Sequence, residues 1–236
     1  MKNNVTELVF ILDRSGSMCG LVSDTIGGFN SLIAKQKKQE GRAYVTTVLF
    51  DTRFQRLHDR VDLNSVEPMT EKDYVPGGCT ALLDAVGDTV RHIAHIHKYA
   101  RHEDVPDKTV VVITTDGLEN ASTHYTAEEI RKLISHEQEK YGWEFIFLGA
   151  NIDAAAEAGR MGIRADRASN YVNDGEGSAI AYEAMACAQV SRRITGAVAS
   201  GWRDAPMADA AARGGAAGGA GSGKPAKKKG LKFWQK

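Results

Sequence analysis

The sequence has few cysteines, no long apolar run and no net charge. Its three cysteines, Cys19, Cys79 and Cys187, are too few and too scattered for a disulfide framework or a cysteine-ligated zinc site, and they point to a reducing compartment. The first apolar segment, residues 5–12, carries Glu7 within it and falls far short of the about 20 residues that cross a bilayer. No signal peptide or transmembrane segment is read, and the expected localisation is cytoplasmic. Neutrality, 30 basic against 30 acidic side chains, conceals an asymmetry. From Arg203 to Lys236, eight Lys and Arg stand against two Asp, which leaves 22 basic and 28 acidic residues before them. The main part of the chain is therefore acidic, and nucleic acid is not expected as a partner.

What is present is the composition of a globular protein, 42% hydrophobic and 25% charged. Leu8-Val9-Phe10-Ile11-Leu12, Thr109-Val110-Val111-Val112-Ile113 and Trp143-Glu144-Phe145-Ile146-Phe147-Leu148 are nearly continuous apolar runs. Such runs suit strands covered on both faces in a parallel sheet. Residues 44–50 form a fourth β-rich run. Asp51-Thr52-Arg53 then reads as a turn into residues 54–61, whose mixed polarity fits an antiparallel edge strand. Helical spacing marks residues 25–39 and 81–99, and Thr126 with Glu129 reads as the capped start of a third helix. Residues 154–160 and 176–194 read as two more helices. The expected fold class is α/β: a doubly wound, mostly parallel sheet with one antiparallel edge strand and helices on both faces. Residues 1–202 are expected to fold as one domain, and 203–236 to form a flexible Ala/Gly-rich linker ending in a basic, aromatic tail.

The residues that suggest chemistry sit at strand ends. Asp13-Arg14-Ser15-Gly16-Ser17 leaves the C-terminal end of the first strand, where open α/β sheets bind ligands. Thr80 follows Gly77-Gly78-Cys79 just ahead of a helix, and Asp116 ends a later strand. Carboxylates and hydroxyls are hard oxygen donors, suited to Mg²⁺ or Mn²⁺ rather than zinc.

Asp-x-Ser-x-Ser, Gly-Gly-x-Thr and Thr-Asp-Gly, in that order, resemble the metal-ion-dependent adhesion site of von Willebrand factor A domains. The resemblance covers about residues 5–195 in element order. The phrasing of Asp116-Gly117-Leu118-Glu119-Asn120-Ala121-Ser122 and of residues 143–153 is similar to small bacterial cytoplasmic members. The resemblance implies an intact site in which Ser15 and Ser17 bind the metal directly. Asp13 and Asp116 then act largely through waters, and Thr80 acts in either way. It further implies a binding module whose cation captures an Asp or Glu of a protein partner, for example an ATPase or a signalling enzyme. No catalytic role is expected.

Rival chemistries fail on particular residues. An aspartate-nucleophile phosphatase would resemble Asp-x-Asp, where this chain has Ser15 in the second acidic position; a serine hydrolase needs Gly-x-Ser-x-Gly. A metal-dependent hydrolase of phosphate esters remains the alternative, and it needs a positioned base or nucleophile that the sequence does not reveal. Gly218 to Lys224 spells most of a phosphate-binding loop, but Pro225 replaces its hydroxyl and no strand precedes it. His92, His95, His97 and His102 read mostly as a solvated helix face, and His124 as a surface residue. Cys19 and Cys79 are expected near the metal site as unlinked thiols. In the tail, Leu231, Phe233 and Trp234 stand among lysines and suggest a second docking contact.

Overall fold

In the computed structural model, which describes residues 4–213, strand β1 (Val5–Asp13) is buried along its whole length. Its neighbours explain why. β2 (Arg42–Phe50) and β4 (Lys108–Thr115) flank it in parallel, and helices cover both faces, so both side-chain rows are apolar. Leu8, Phe10 and Leu12 share a core with Phe29 and Leu32 of α1 (Val22–Lys37) and Met185 of α5 (Gly175–Thr195). Val9 and Ile11 share the opposite core with Val86, Val90 and Ile93 of α2 (Leu82–Tyr99) and Ile130 and Ile134 of α3 (Ala127–Tyr141). Truncating a side chain such as Phe10 to alanine costs about 3–5 kcal/mol.

β5 (Glu144–Gly149) continues the parallel sheet beyond β4, and β3 (Phe54–Asp62) closes the other edge antiparallel to β2, as the sequence pattern predicts. The strand order is β3-β2-β1-β4-β5-β6. Thr126 and Glu129 form a reciprocal capping box at the start of α3, and α4 (Ala154–Arg160) occupies the residues expected of it. β6 (Ala168–Asn170) was not anticipated; three residues carry no periodic signal, and parallel pairing with β5 defines the strand.

The stretch read as the start of a flexible linker is instead helix α6 (Asp204–Arg213). Alanine and glycine are opposites in a helix, and this segment carries only the alanine half of that composition. Pro206 stands in the first turn, where no N–H is needed, and it and Ala210 are buried as α6 packs on α5 and β6. Arg213 binds Asp209 one turn back and reaches Asp174. Residues 214–236, including Leu231, Phe233 and Trp234, lie outside the described residues.

Glu7, in the first half of β1, is fully buried. Arg60 Nε donates to it at 2.8 Å, and His97 Nε2 lies 3.3 Å away. To reach it Arg60 takes a left-handed backbone conformation, φ 54°, beside an irregularity in the β2–β3 ladder. A buried charge so paired is costly to unpair, which fixes the lower end of the sheet.

Candidate metal-binding site

The chain order reverses between β1 and β4, and there the crevice forms. Leu12 pairs with Thr114 across that seam, so Asp13 and Asp116 leave the sheet side by side despite their separation in sequence. Beyond β1 a short 3-10 turn (Gly16–Leu21) leads into α1, and Ser15 caps it with extended backbone.

Four of the five candidate residues are joined in one chain of contacts. Asp13 Oδ1 accepts from Ser15 N at 2.7 Å. The Ser15 and Ser17 hydroxyls are 3.0 Å apart, and Ser17 Oγ donates to Asp116 Oδ1 at 2.6 Å. Asp13, Ser15, Thr80 and Asp116 are buried, while Ser17 is exposed and marks the mouth. Thr80 arrives from a third loop. Gly77 N donates to Arg14 O and Gly16 N to Gly78 O, which lashes that loop to the Ser15 turn. Gly78 has φ 69°, and a Cβ there would stand 2.7 Å from Thr52 Oγ1, so both conformation and space require glycine. Thr80 Oγ1 lies 3.8 Å from where a Cβ on Gly117 would be, which places it beside the residue following Asp116.

The supporting residues were not singled out from the sequence. Thr115 Oγ1 donates to Asp13 Oδ2. Asn120 exchanges two bonds with Thr80: its Oδ1 accepts from Thr80 N, and its own N–H donates to Thr80 O. Glu119 accepts from the backbone N–H groups of Leu83, Ala121 and Ser122 and from the Ser122 hydroxyl. Asp84 in turn accepts from the N–H groups of Thr123, His124 and Tyr125. The loop after β4 is thereby latched to the start of α2, directly behind Thr80. Asn173 Nδ2 approaches Asp116 Oδ2 at 3.4 Å, while its buried Oδ1 has no hydrogen-bond partner among the described residues. The usable signal was the density of Asp, Glu, Asn and Ser next to a helix start, where such side chains satisfy free N–H groups.

Burial pushes the Asp13 carboxyl above its usual range; hydrogen bonds from Thr115 and Ser15 oppose this, and the Asp116 charge adds to it. Below it the Tyr74 hydroxyl donates to the Asp13 carbonyl, and burial holds the Tyr74 phenol far above its ordinary value. The donor set is two carboxylates and three hydroxyls. Its donors are all oxygen, the type a hard cation takes; among the described residues no cluster of three or more His, Cys, Asp or Glu is arranged to hold an ion.

Solved structures share this architecture. The vWF domain of the type V pili tip protein Mfa5 from Porphyromonas gingivalis aligns with a TM-score of 0.57 at 12% identity, over 77% of this chain and 93% of that one. The chain has the von Willebrand factor A fold. Manganese-loaded TRAP protein of Plasmodium vivax aligns at a TM-score of 0.52 and 16% identity, over 76% of this chain and 72% of that one. Proximal thread matrix protein 1 from the mussel byssus, with a zinc-occupied MIDAS motif, gives 0.51 and 15%, over 77% and 44%. The chain thus spans less than half the length of the mussel protein. No protein-family model and no curated protein sequence matches the chain.

The histidine side chains take no part in this oxygen cluster, while Cys19 and Cys79 lie on the two loops that carry Ser17 and Thr80. His92 contacts Asp59, His95 lies tilted against the Tyr99 ring, and His124 is exposed beside Asp84. His97 departs from the expected solvated face, since it is drawn inward to Glu7. Cys19, Cys79 and Cys187 are free and exposed. Among the described residues no helix is long and apolar enough to cross a membrane.

Proposed function

We propose that the chain is a metal-dependent protein-binding module, in which Asp13, Ser15, Ser17, Thr80 and Asp116 hold Mg²⁺ or Mn²⁺ and the ion captures an Asp or Glu of a protein partner. One observation carries this reading: Ser17 Oγ joins Ser15 to Asp116 at the exposed mouth of an otherwise buried oxygen cluster. A cation supplies open coordination positions that a carboxylate can fill. It also offsets the repulsion between two adjacent carboxylates, one of them desolvated. Thr115, Ser15 and Asn120 orient the donors, and the latch at Glu119 keeps Thr80 against the Asp116 loop.

The manganese and zinc in the solved structures support a divalent ion for this fold, and the all-oxygen donors favour Mg²⁺ or Mn²⁺ over zinc. In this reading the chain turns over no substrate itself and works beside a cytoplasmic partner such as an ATPase or signalling enzyme. Leu231, Phe233 and Trp234 add a second contact. Affinity capture on the full chain, with Mg²⁺ and with chelator, tests it. A partner with an essential acidic residue is expected only with Mg²⁺, and Asp13→Ala should lose it at unchanged circular dichroism. Metal-independent capture, or Asp13-dependent hydrolysis of a simple phosphate ester, would overturn the reading.

A further inference from the structure

At the opposite end of β4, between α2 and α3, lies a cavity of about 130 Å³. Glu137 of α3 lines it, 4% exposed. Among the described residues no hydrogen bond or ion pair reaches this carboxylate. The nearby cations act on it only through space. His97 faces Glu7, which Arg60 also binds. Lys140 Nζ lies over the Tyr141 ring at 5.1 Å, and Lys98 Nζ over Tyr99 at 5.2 Å. Burial accordingly raises the Glu137 pKa, with His136, His97 and Lys140 opposing. The Glu137 side chain is almost enclosed, and the space beside its carboxylate is where a partner would sit.

The rest of the lining indicates which partner. Asp107 adds a second carboxylate, whose Oδ2 accepts a 3.3 Å bond from Val5 N. Thr109 adds a hydroxyl, and Ala94, Pro106 and Trp143 form apolar walls. The Trp143 ring is held by His97 edge-on at 5.4 Å and by Phe145 stacked at 6.2 Å, so the wall is preformed. Exposed Lys98 and Tyr141 mark the way in. A dry cavity of about 150 Å³ accepts benzene, so this one has room for about five heavy atoms.

We propose that this cavity is a binding site for a small organic cation, a primary ammonium on a short apolar chain, with Glu137 as its counter-ion. The ammonium offers three donors to Glu137, Asp107 and Thr109, and the chain lies against Trp143 and Pro106. Anions are excluded by the two carboxylates, and a neutral alcohol leaves the Glu137 charge uncompensated.

Calorimetric titration of the full chain with n-butylammonium, 1-butanol and butyrate tests this. Butylammonium is expected to bind at least about tenfold more tightly than the other two. Glu137→Gln should remove that preference while leaving the thermal midpoint unchanged or higher, since it removes a charge that burial disfavours. Ala94→Leu, which fills the cavity, should block binding by steric means. Absence of butylammonium binding at millimolar concentration, equal binding of 1-butanol, or full affinity in Glu137→Gln would each overturn the proposal. Competition by N-acetyl-lysine methylamide would assign the ammonium to a lysine side chain, and its failure to a free amine.

Discussion

Thr115 Oγ1 donates to Asp13 Oδ2 at 2.7 Å, joining the ends of two adjacent strands across 102 residues of sequence. The same hydroxyl accepts from Gly117 N and lies 3.0 Å from Gly117 O. Thr115→Val keeps the shape and removes all three contacts. Mg²⁺ affinity is expected to fall about 10–100-fold, as for other residues that orient metal ligands. Unchanged affinity in a metal titration would show that Asp13 is oriented without it.

The Glu119 latch makes a separate prediction. Glu119→Ala leaves the Leu83, Ala121 and Ser122 amides without their acceptor, at a cost of about 2–3 kcal/mol. Hydrogen exchange at those three amides should quicken more than exchange in the β1 core. Equal protection in the variant would mean that the loop is held elsewhere.

His58 predicts a pH dependence remote from the proposed metal site. Its ring stacks on Phe29 at 6.2 Å and contacts Thr47 Oγ1, and burial lowers its pKa despite the nearby charge of Asp73. The fold therefore prefers neutral His58. Its stabilising contribution is present above the unfolded value of about 6.5 and is lost as pH falls from there towards the lowered folded value. Urea unfolding between pH 7 and pH 5 should show a shallower decline in His58→Asn than in the native chain; parallel declines would rule this group out.

Helix α6 can be tested by truncation. Ending the chain after Arg203 removes the burial of Pro206 and Ala210 and the Arg213 contacts to Asp174 and Asp209. Stability should fall by about 1–3 kcal/mol, mostly from apolar contact, because exposed ion pairs contribute little. An unaltered urea midpoint would return the segment to the status of a linker.

The sequence pattern was most informative where burial imposes periodicity. The all-apolar rows of Leu8 to Leu12 and Val110 to Ile113 could come only from strands covered on both faces, and Thr126 with Glu129 announced a helix start through its own hydrogen bonds. β6 was illegible because its pairing partner, not its composition, makes it a strand. α6 is masked in the sequence because its alanines run on into the Ala/Gly stretch that follows, although alanine alone favours a helix. At the site, Asp13, Ser15, Ser17 and Asp116 stood out as donors at strand ends. Thr115, Asn120, Glu119 and Asp84 did not, since they act through partners 36 to 102 residues away that only the folded register brings within reach.

The pairing of β1 with β4 also has a consequence for timing. Asp13 ends β1, and α1, β2, β3 and α2 all lie in the chain between it and its neighbours Thr115 and Asp116. Contacts so distant in sequence form late, because the intervening loop must be closed first. A chain that ends before residue 116 lacks the second carboxylate of the rim. An ion that binds there therefore reports, during refolding, the moment at which the central seam of the sheet is joined.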